Sequence, residues 1–186
     1  MKQIADSLGC SVHKVVYWMG KYEIERRSIS EALYLKLNPS GDPFTIKTKL
    51  SSNELMLFGL ALGIYWGEGN KASEYAVRVA NTDSDMLKSF IDFLRIICGV
   101  DKKKIRYSLV IFNDVDIEKA VEYWSKQLNI DNKSFGKIVN IPTQGKGTYK
   151  RKSKYGVCTV TVSNKKLKSW LMDKINEVSS AWVVQW

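Results

Sequence analysis

The residue of this chain whose neighbours point most clearly to chemistry is Glu68, within LFGLALGIYWGEGNK from Leu57 to Lys71. Glycine recurs there every fourth position, at Gly59, Gly63 and Gly67, although a glycine in a helix interior costs roughly 1 kcal/mol relative to alanine. Three glycines on one face leave that face without side chains, so a second helix backbone can approach closely. The pattern therefore predicts a helix–helix contact that ends at a carboxylate.

The flanking sequence predicts the elements that position these three glycines, which we call the glycine stripe. Ser52 is the expected N-cap of a helix from about Asn53 to Gly67. From Ser51 the apolar periodicity gives the coarse order α-β-α-β-α-loop-β-α, with one more short strand after Glu68, and this order is typical of the α+β class. The rest of the first helix is expected to contribute core residues, namely Leu55, Phe58, Leu62, Tyr65 and Trp66.

The charge balance favours an anionic partner. The 186-residue chain has 29 Lys+Arg against 19 Asp+Glu and a net charge of +10, which puts nucleic acid first and a membrane surface second. A merely basic globular protein is the alternative. No apolar run approaches the ~20 residues of a membrane span, and no charged-then-apolar leader opens the chain. These features favour a cytoplasmic protein.

A structural zinc site is not expected. Cys10, Cys98 and Cys158 lie far apart, and His13 is the one histidine. Such a site needs about four Cys or His ligands, so the cysteines are interpreted as small core residues in a reducing compartment.

The chain divides into three regions that differ in composition and in the pattern of apolar residues. Residues 1–37 are typical of short helices, residues 38–50 form a turn-rich linker with two prolines, and residues 51–186 form the main domain. In the first region, MKQIADSLGCSVHKVVYWMGKY resembles the bihelical core of helix-turn-helix DNA-binding domains. Ile4, Leu8, Val15 and Trp18 are expected inside, Ala5 at the helix crossing, Gly9 in the turn and Ser11 as the N-cap.

If this segment is a helix-turn-helix, its second helix presents residues to DNA bases. Two helices that pack together with no role in DNA binding are the alternative. The candidates for base contact are Ser11, Val12, His13, Lys14, Val16 and Tyr17, and those for phosphate contact are Lys21, Arg26 and Arg27.

The nonapeptide ALGIYWGEG, from Ala61 to Gly69, resembles the signature helix of LAGLIDADG homing endonucleases and related DNA-binding proteins. Gly63 matches the helix-crossing glycine, Glu68 the acidic residue and Gly69 the closing glycine. The segment VANTDSDMLKSFIDFL, from Val79 to Leu94, resembles the strand and helix that follow in this family, with an NTD-like turn capping the helix. The resemblance covers residues 53–178.

The resemblance implies a LAGLIDADG-type αββαββα saddle domain preceded by the helix-turn-helix segment. Because the chain has one copy of the motif, it implies a symmetric homodimer that binds double-stranded DNA, with a nucleoid-associated location. Asn81 falls by alignment where a polar residue often holds active-site water, so Glu68 and Asn81 are the catalytic candidates. The implied dimer contacts are Gly59, Leu60, Gly63, Ile64 and Gly67.

The electrostatics of that arrangement call for a cation. Glu68 lies at a helix C-terminus, where the helix dipole is already negative. Two such ends brought together would repel unless a cation binds between them, and a divalent ion that prefers oxygen ligands, such as Mg²⁺, suits the site. Glu68 and Gly67 are the predicted metal-site residues, and the bound ion could activate water for attack on a DNA phosphate.

Three features depart from the family pattern. No basic residue follows Lys174 to match the lysine that active members often supply. The segment from Asp114 to Lys154 looks like an insertion, and the strand after Glu68 is short or missing.

Basic residues cluster late in the main domain. From Lys133 to Lys154 there are seven Lys or Arg and no Asp or Glu, so this segment is expected to contact phosphates unless it is only a solvated loop. On the strands, Arg78, Arg106, Tyr107, Thr159 and Thr161 are groove-facing candidates whose phase stays open, while Lys165, Lys166 and Lys168 could equally form a solvated helix face. The loop candidates are Lys146, Lys150, Arg151, Lys152 and Lys154.

The leading hypothesis is a homodimeric, Mg²⁺-dependent, site-specific DNA endonuclease of LAGLIDADG type. The first alternative is a non-catalytic regulator that keeps the fold and binds DNA, which the absent lysine and the helix-turn-helix favour. The second is an RNA-binding splicing helper, a role that members of the family are known to take.

Overall fold

The structure is a computed structural model that describes residues 1–142 and 153–181. The chain divides into two compact units, one from Met1 to Asp42 and one from Pro43 onward. The first unit contains three helices, α1 (Lys2–Ser7), α2 (Val12–Lys21) and α3 (Ile29–Leu37).

The second unit mixes helices and strands. A π-helical turn, Phe93–Ile97, extends α5. In chain order the elements are α4 (Ser52–Glu68), β1 (Val77–Asn81), α5 (Ser84–Asp92), β2 (Ile105–Phe112), α6 (Ile117–Leu128), β3 (Phe135–Ile141), β4 (Val157–Val162) and α7 (Lys165–Ala181).

The described strands form one open four-stranded sheet in the order β1-β4-β2-β3. β4 pairs antiparallel with both β1 and β2, whereas β3 runs parallel to β2. Residues from α4, α5, α6 and α7 share a single buried cluster with alternate residues of the strands. The sheet therefore buries one face, and the expectation of a mixed helix-and-strand domain is confirmed.

The element order differs from the expected αββαββα. The strand expected after Glu68 is reduced to an isolated bridge between Gly69 and Val79. In addition, α6 lies between β2 and β3, because a parallel neighbour can be reached only by a crossover connection. The segment interpreted as an insertion from Asp114 thus contains α6 and the edge strand β3.

A capping box starts α4 one residue earlier than the sequence suggested. The Ser51 backbone N–H donates to Glu54 Oε2 at 2.9 Å, and the Glu54 N–H donates to Ser51 Oγ at 3.4 Å. Lys47 Nζ lies 2.6 Å from Glu54 Oε1. The hydrogen bond from Lys47, together with that from the Ser51 backbone, lowers the pKa of Glu54 to about 2.

The second half of the predicted linker belongs to the second unit. Phe44, Ile46 and Leu50 pack against its core. The backbone N–H of Thr45 donates to the carbonyl of Cys98 at 3.0 Å. These contacts follow from the apolar residues that alternate with polar ones after Pro43, so the segment lies against the domain as an extended strap.

The strap passes close to Gly99, which follows the π-helical turn, and a substitution there tests this arrangement. Its φ is +60°, and a Cβ there would lie 2.6 Å from the Thr45 carbonyl oxygen. We expect Gly99→Ala to lower the free energy of unfolding by about 1–3 kcal/mol, because the left-handed conformation alone costs alanine about 1–2 kcal/mol. Urea unfolding measures the change.

Gly136→Ala is the matched control, since a Cβ at Gly136 would meet its nearest neighbour, the Tyr107 carbonyl oxygen, at 3.8 Å. We expect its effect to stay within about 0.5 kcal/mol. Equal urea midpoints for the two variants would contradict the close approach at Gly99.

Candidate nucleic-acid interface

One face of α4 is open. A Cβ built on Gly59, Gly63 or Gly67 would meet nothing within 4 Å. Large apolar side chains flank the stripe, and Met56 and Leu60 are 67% and 53% exposed. These five residues recur at the helical spacing of a single face, so α4 presents to solvent an apolar surface with a flat centre.

The other face of α4 enters the core, and it corrects part of the sequence interpretation. Leu62 and Tyr65 are buried as expected, but Leu55 and Trp66 are more than half exposed. Ile64, a predicted dimer contact, is buried in the core instead. Only one side of this helix faces α5, β1 and α7. Periodicity alone does not determine which residues lie at the boundary of that buried side.

A tight turn ends α4 immediately after Glu68. A Cβ on Gly69 would lie 2.3 Å from the carbonyl oxygen of Tyr65 and 2.6 Å from its ring, so only glycine fits there. The N–H of Asn70 donates to the carbonyl of Arg78 at 2.9 Å. The Glu68 side chain is left exposed at the point where α4 meets β1.

A buried ammonium group holds this turn from behind. Lys168 of α7 is only 4% exposed, and its Nζ donates to the Tyr65 hydroxyl at 2.7 Å and to the Asn70 carbonyl at 2.9 Å. The Tyr65 hydroxyl in turn donates to the same carbonyl at 2.8 Å. Among the described residues, no carboxylate pairs with Lys168, so neutral oxygens and the negative end of α4 stabilise its charge.

Lys168 is a residue that the sequence analysis missed, because it was grouped with the solvated lysines of α7. The signal was its spacing, since it follows Leu167 and precedes Leu171 and Ile175 on the buried side of the helix. A second cation lies nearby, as Lys71 Nζ donates to the Trp66 carbonyl. Burial and the charge of Lys71 together lower the pKa of Lys168.

Asn81 lies at the end of β1 that is nearest Glu68, because the antiparallel bridge pairs Gly69 with Val79. Its Oδ1 accepts from the backbone N–H groups of Thr82 and Asp83 at 2.7 and 3.0 Å. Asp83 then caps α5 by accepting from two backbone N–H groups. The expected NTD-type cap is confirmed, and the Asn81 side-chain oxygen is engaged in that turn.

The second face of the sheet, opposite the helices, carries a basic row. The strand register aligns Arg78 of β1 with Thr161 of β4, and Thr161 with Arg106 of β2. Both arginines are exposed. We call Arg78, Thr161 and Arg106 the basic row. The next row along the strands consists of the small residues Ala80, Thr159 and Ser108.

The register settles the strand phase that the sequence left open. Arg78, Arg106, Thr159 and Thr161 share the open face. Tyr107 was wrong as a groove-facing candidate, since it is 6% exposed and packs in the core against Phe135. Its neighbours on β2 alternate strictly between the two faces.

In the first unit a tight turn joins the two short helices α1 and α2. Gly9 has φ +60°, Ser11 Oγ accepts from the Lys14 backbone N–H at 3.3 Å, and Ala5 and Val15 are buried at the crossing of α1 and α2. These local predictions are confirmed. The predicted base-contacting and phosphate-contacting residues Ser11, Val12, His13, Lys14, Tyr17 and Lys21 are all exposed, while Val16 is half-buried.

The expected core of this unit is incomplete. Ile4, Leu8 and Trp18 are 45%, 67% and 39% exposed, which corrects their assignment to the interior. They line an open apolar groove of about 510 Å³ together with Tyr22 and Ile24. The two short helices α1 and α2 have too little surface to enclose these side chains, and α3 has no buried residue.

Of the five loop lysines and arginines, Lys154 is described, exposed, and 5.3 Å from the Tyr155 ring centroid. Lys146, Lys150, Arg151 and Lys152 lie outside the described residues. Within residues 1–142 and 153–181, no group of three or more His, Cys, Asp or Glu side chains is arranged to hold a metal ion. No helix in the same part of the chain combines the length and apolar character needed to cross a membrane.

Comparison of the chain with protein-family models, with curated proteins and with solved structures finds no match.

The buried Lys168 predicts a pH dependence of stability. Because its pKa is lower in the folded than in the unfolded chain, the unfolded chain binds more protons between the two pKa values, and stability rises with pH across that window. We expect this rise to be lost in Lys168→Met, which keeps the shape of the side chain without the charge. Urea unfolding at several pH values up to about 9, a unit below the ordinary tyrosine pKa, measures it.

Lys174→Met on the same helix is the control, since Lys174 is partly exposed and pairs with Glu177 at 2.6 Å. It should keep the slope of the wild-type protein. Parallel profiles for the wild-type protein and Lys168→Met would contradict the assignment of the rise to Lys168.

Proposed function

We propose that this protein binds double-stranded DNA as a symmetric homodimer and hydrolyses it at a specific site with Mg²⁺, as LAGLIDADG homing endonucleases do. The observation that carries the proposal is the open glycine face of α4 ending in the exposed Glu68. The resemblance of ALGIYWGEG to the family's signature helix supports the same conclusion.

The proposed dimer rests on the open face of α4, whose centre has no side chains. An apolar helix surface with no side chain at its centre is complementary to a copy of itself, and an isologous pair requires such self-complementarity. In a pair of α4 helices crossing at Gly63, Met56 and Leu60 would lose water contact and Glu68 would approach its symmetry mate. The stripe therefore supplies both the contact and the juxtaposition of the acidic groups.

DNA contact is supported by charge on the open sheet face. The basic row has two exposed arginines about 10 Å apart, on strands separated by one neighbour. Arginine recognises phosphate and guanine through a planar fork of donors. With a net charge of +10, binding should weaken steeply as salt rises.

The residues present fit Mg²⁺ only when two chains contribute. Glu68 and the Gly67 carbonyl offer the oxygen ligands that Mg²⁺ prefers, but within the described part of one chain no group of three or more possible ligand side chains gathers there. When bound, the ion supplies water activation and stabilises the leaving oxygen. The chain's own contribution is to present Glu68 beside a turn whose backbone is fixed by Gly69 and Lys168.

A substitution on the stripe tests the dimer. We expect Gly63→Ala to raise the dimer dissociation constant by about tenfold or more, since overpacking a close contact costs about 1–3 kcal/mol. The isolated monomer should gain up to about 1 kcal/mol in stability, because alanine favours the helix and its Cβ meets nothing within 4 Å. Sedimentation equilibrium and urea unfolding at low concentration separate the two effects.

Gly20→Ala in α2 is the matched control, since a Cβ there is equally unobstructed. It should leave the dissociation constant unchanged. A wild-type protein that stays monomeric at about 100 µM would refute the dimer.

Removing the carboxylate tests the chemistry. In a duplex DNA library with Mg²⁺, we expect the wild-type protein to cut a defined site and Glu68→Gln to cut at least about 100-fold more slowly, because loss of groups that only orient metal ligands already costs about 10–100-fold. Binding of Glu68→Gln to the same DNA without divalent metal should be retained. Glu74→Gln, in the exposed loop before β1, is the control and should cut normally.

A non-catalytic DNA-binding regulator with the same fold is the second candidate. It is favoured by the engaged Asn81 oxygen and by the absence of a three-ligand metal group among the described residues. Specific binding without cleavage, unchanged by divalent metal and by Glu68→Gln, would select it over the endonuclease.

A further inference from the structure

The open face of the sheet changes character along its strands. Beyond the basic row and the row of small residues next to it, the register aligns Val157 of β4 with Val110 of β2, and Val110 with Val139 of β3. The last aligned pair is Phe112 with Ile141. We call these five side chains, four aliphatic ones and the aromatic ring of Phe112, the aliphatic rows; all five are partly exposed.

The phase of β3 supports this placement. Between the pairs Tyr107–Phe135 and Leu109–Ile138, β3 has one residue more than β2, and because of this shift Ile138 packs against the core and Val139 faces the opposite side. Without the shift, Val139 would point inward. The irregularity thus adds an aliphatic side chain to the open face beside Val110.

The aliphatic rows and the basic row are parts of one surface. β2 carries both Arg106 and, four residues later, Val110, so the two lie about 13 Å apart on the same strand face. A partner that covers the aliphatic rows must also lie along the arginines. A polyanion with apolar groups exposed between its charges meets both requirements, whereas an apolar protein surface would have to bury Arg78 and Arg106 unpaired.

We infer that the aliphatic rows contact the C5-methyl groups of thymine in the major groove of a DNA target, while the basic row contacts phosphate or guanine. The inference rests on the proposed DNA binding and is independent of cleavage. The major groove admits a β-ribbon, and the thymine methyl is the apolar group displayed on its floor.

The inference predicts the layout of the target. Strands that follow the groove advance about 3.3 Å per residue, close to the 3.4 Å rise between stacked bases on one strand. The A·T-rich positions should therefore begin about four base pairs from those contacted by the basic row. In a homodimer the same order should appear, inverted, in the second half-site.

The test starts from duplexes enriched from a random library by the full-length wild-type protein without divalent metal. Each thymine of the enriched site is then replaced by deoxyuridine, which removes the methyl group and keeps the base pairing. We expect a loss of about fourfold in affinity for each contacted methyl, the value of one buried carbon. Thymines outside the A·T-rich positions should show no loss.

Protein variants assign the effect to the surface. Val110→Ala/Val139→Ala should reduce the loss caused by deoxyuridine at the thymines nearest these two side chains, whereas the control Thr159→Ala should keep the full difference. Urea midpoints check that each variant folds, and if the double variant does not, the deoxyuridine scan with wild-type protein still decides.

Failure of the proposed DNA binding and failure of the thymine-methyl inference would give different results. No enriched site and no salt-dependent binding would overturn the proposed function itself. Specific binding with no effect of deoxyuridine at any position would leave DNA binding standing and overturn the inference about the aliphatic rows.

Discussion

The second unit depends on how the chain leaves α4. Gly69 lies too close to the Tyr65 carbonyl for any side chain, and the buried ammonium of Lys168 bonds the Tyr65 hydroxyl and the Asn70 carbonyl. This contact ties the first helix of the unit to its last and starts the bridge to β1. Because burying a charge without a carboxylate is costly, the turn must be well ordered for Lys168 to be tolerated.

In the second unit, both α4 and the sheet have one face in the core and one face open to solvent. The core face of α4 and the inward residues of the strands share one buried cluster, which leaves the glycine stripe on one side and the arginine and aliphatic rows on the other open. The open helix face is suited to contact with a second copy of the chain, and the charged sheet face is suited to contact with an anion. The proposed dimer and the proposed DNA contact use one surface each, so neither competes with the other.

Several of the sequence predictions that depend on a few neighbouring residues are confirmed. Ser11 and Asp83 cap their helices as expected, and Gly9 takes the left-handed turn, because each depends on a few neighbouring residues. The failures are non-local. The inward assignment of Ile4 and Leu8 assumed a complete core around α1 and α2, and the solvated interpretation of Lys168 ignored the packing of α7 on α4.

Residue type and period alone account for most of the helices and strands, the glycine spacing on α4, the acidic residue at its end and the excess of positive charge, although β3 and the bridge after Glu68 differ from the expected order. Only the tertiary structure decided which arginines share a sheet face, that Tyr107 and Ile64 are buried, and that the aliphatic rows lie beside the basic row. Strand pairing sets these relations between residues distant in the chain, and a one-residue change of register would move every side chain to the other face.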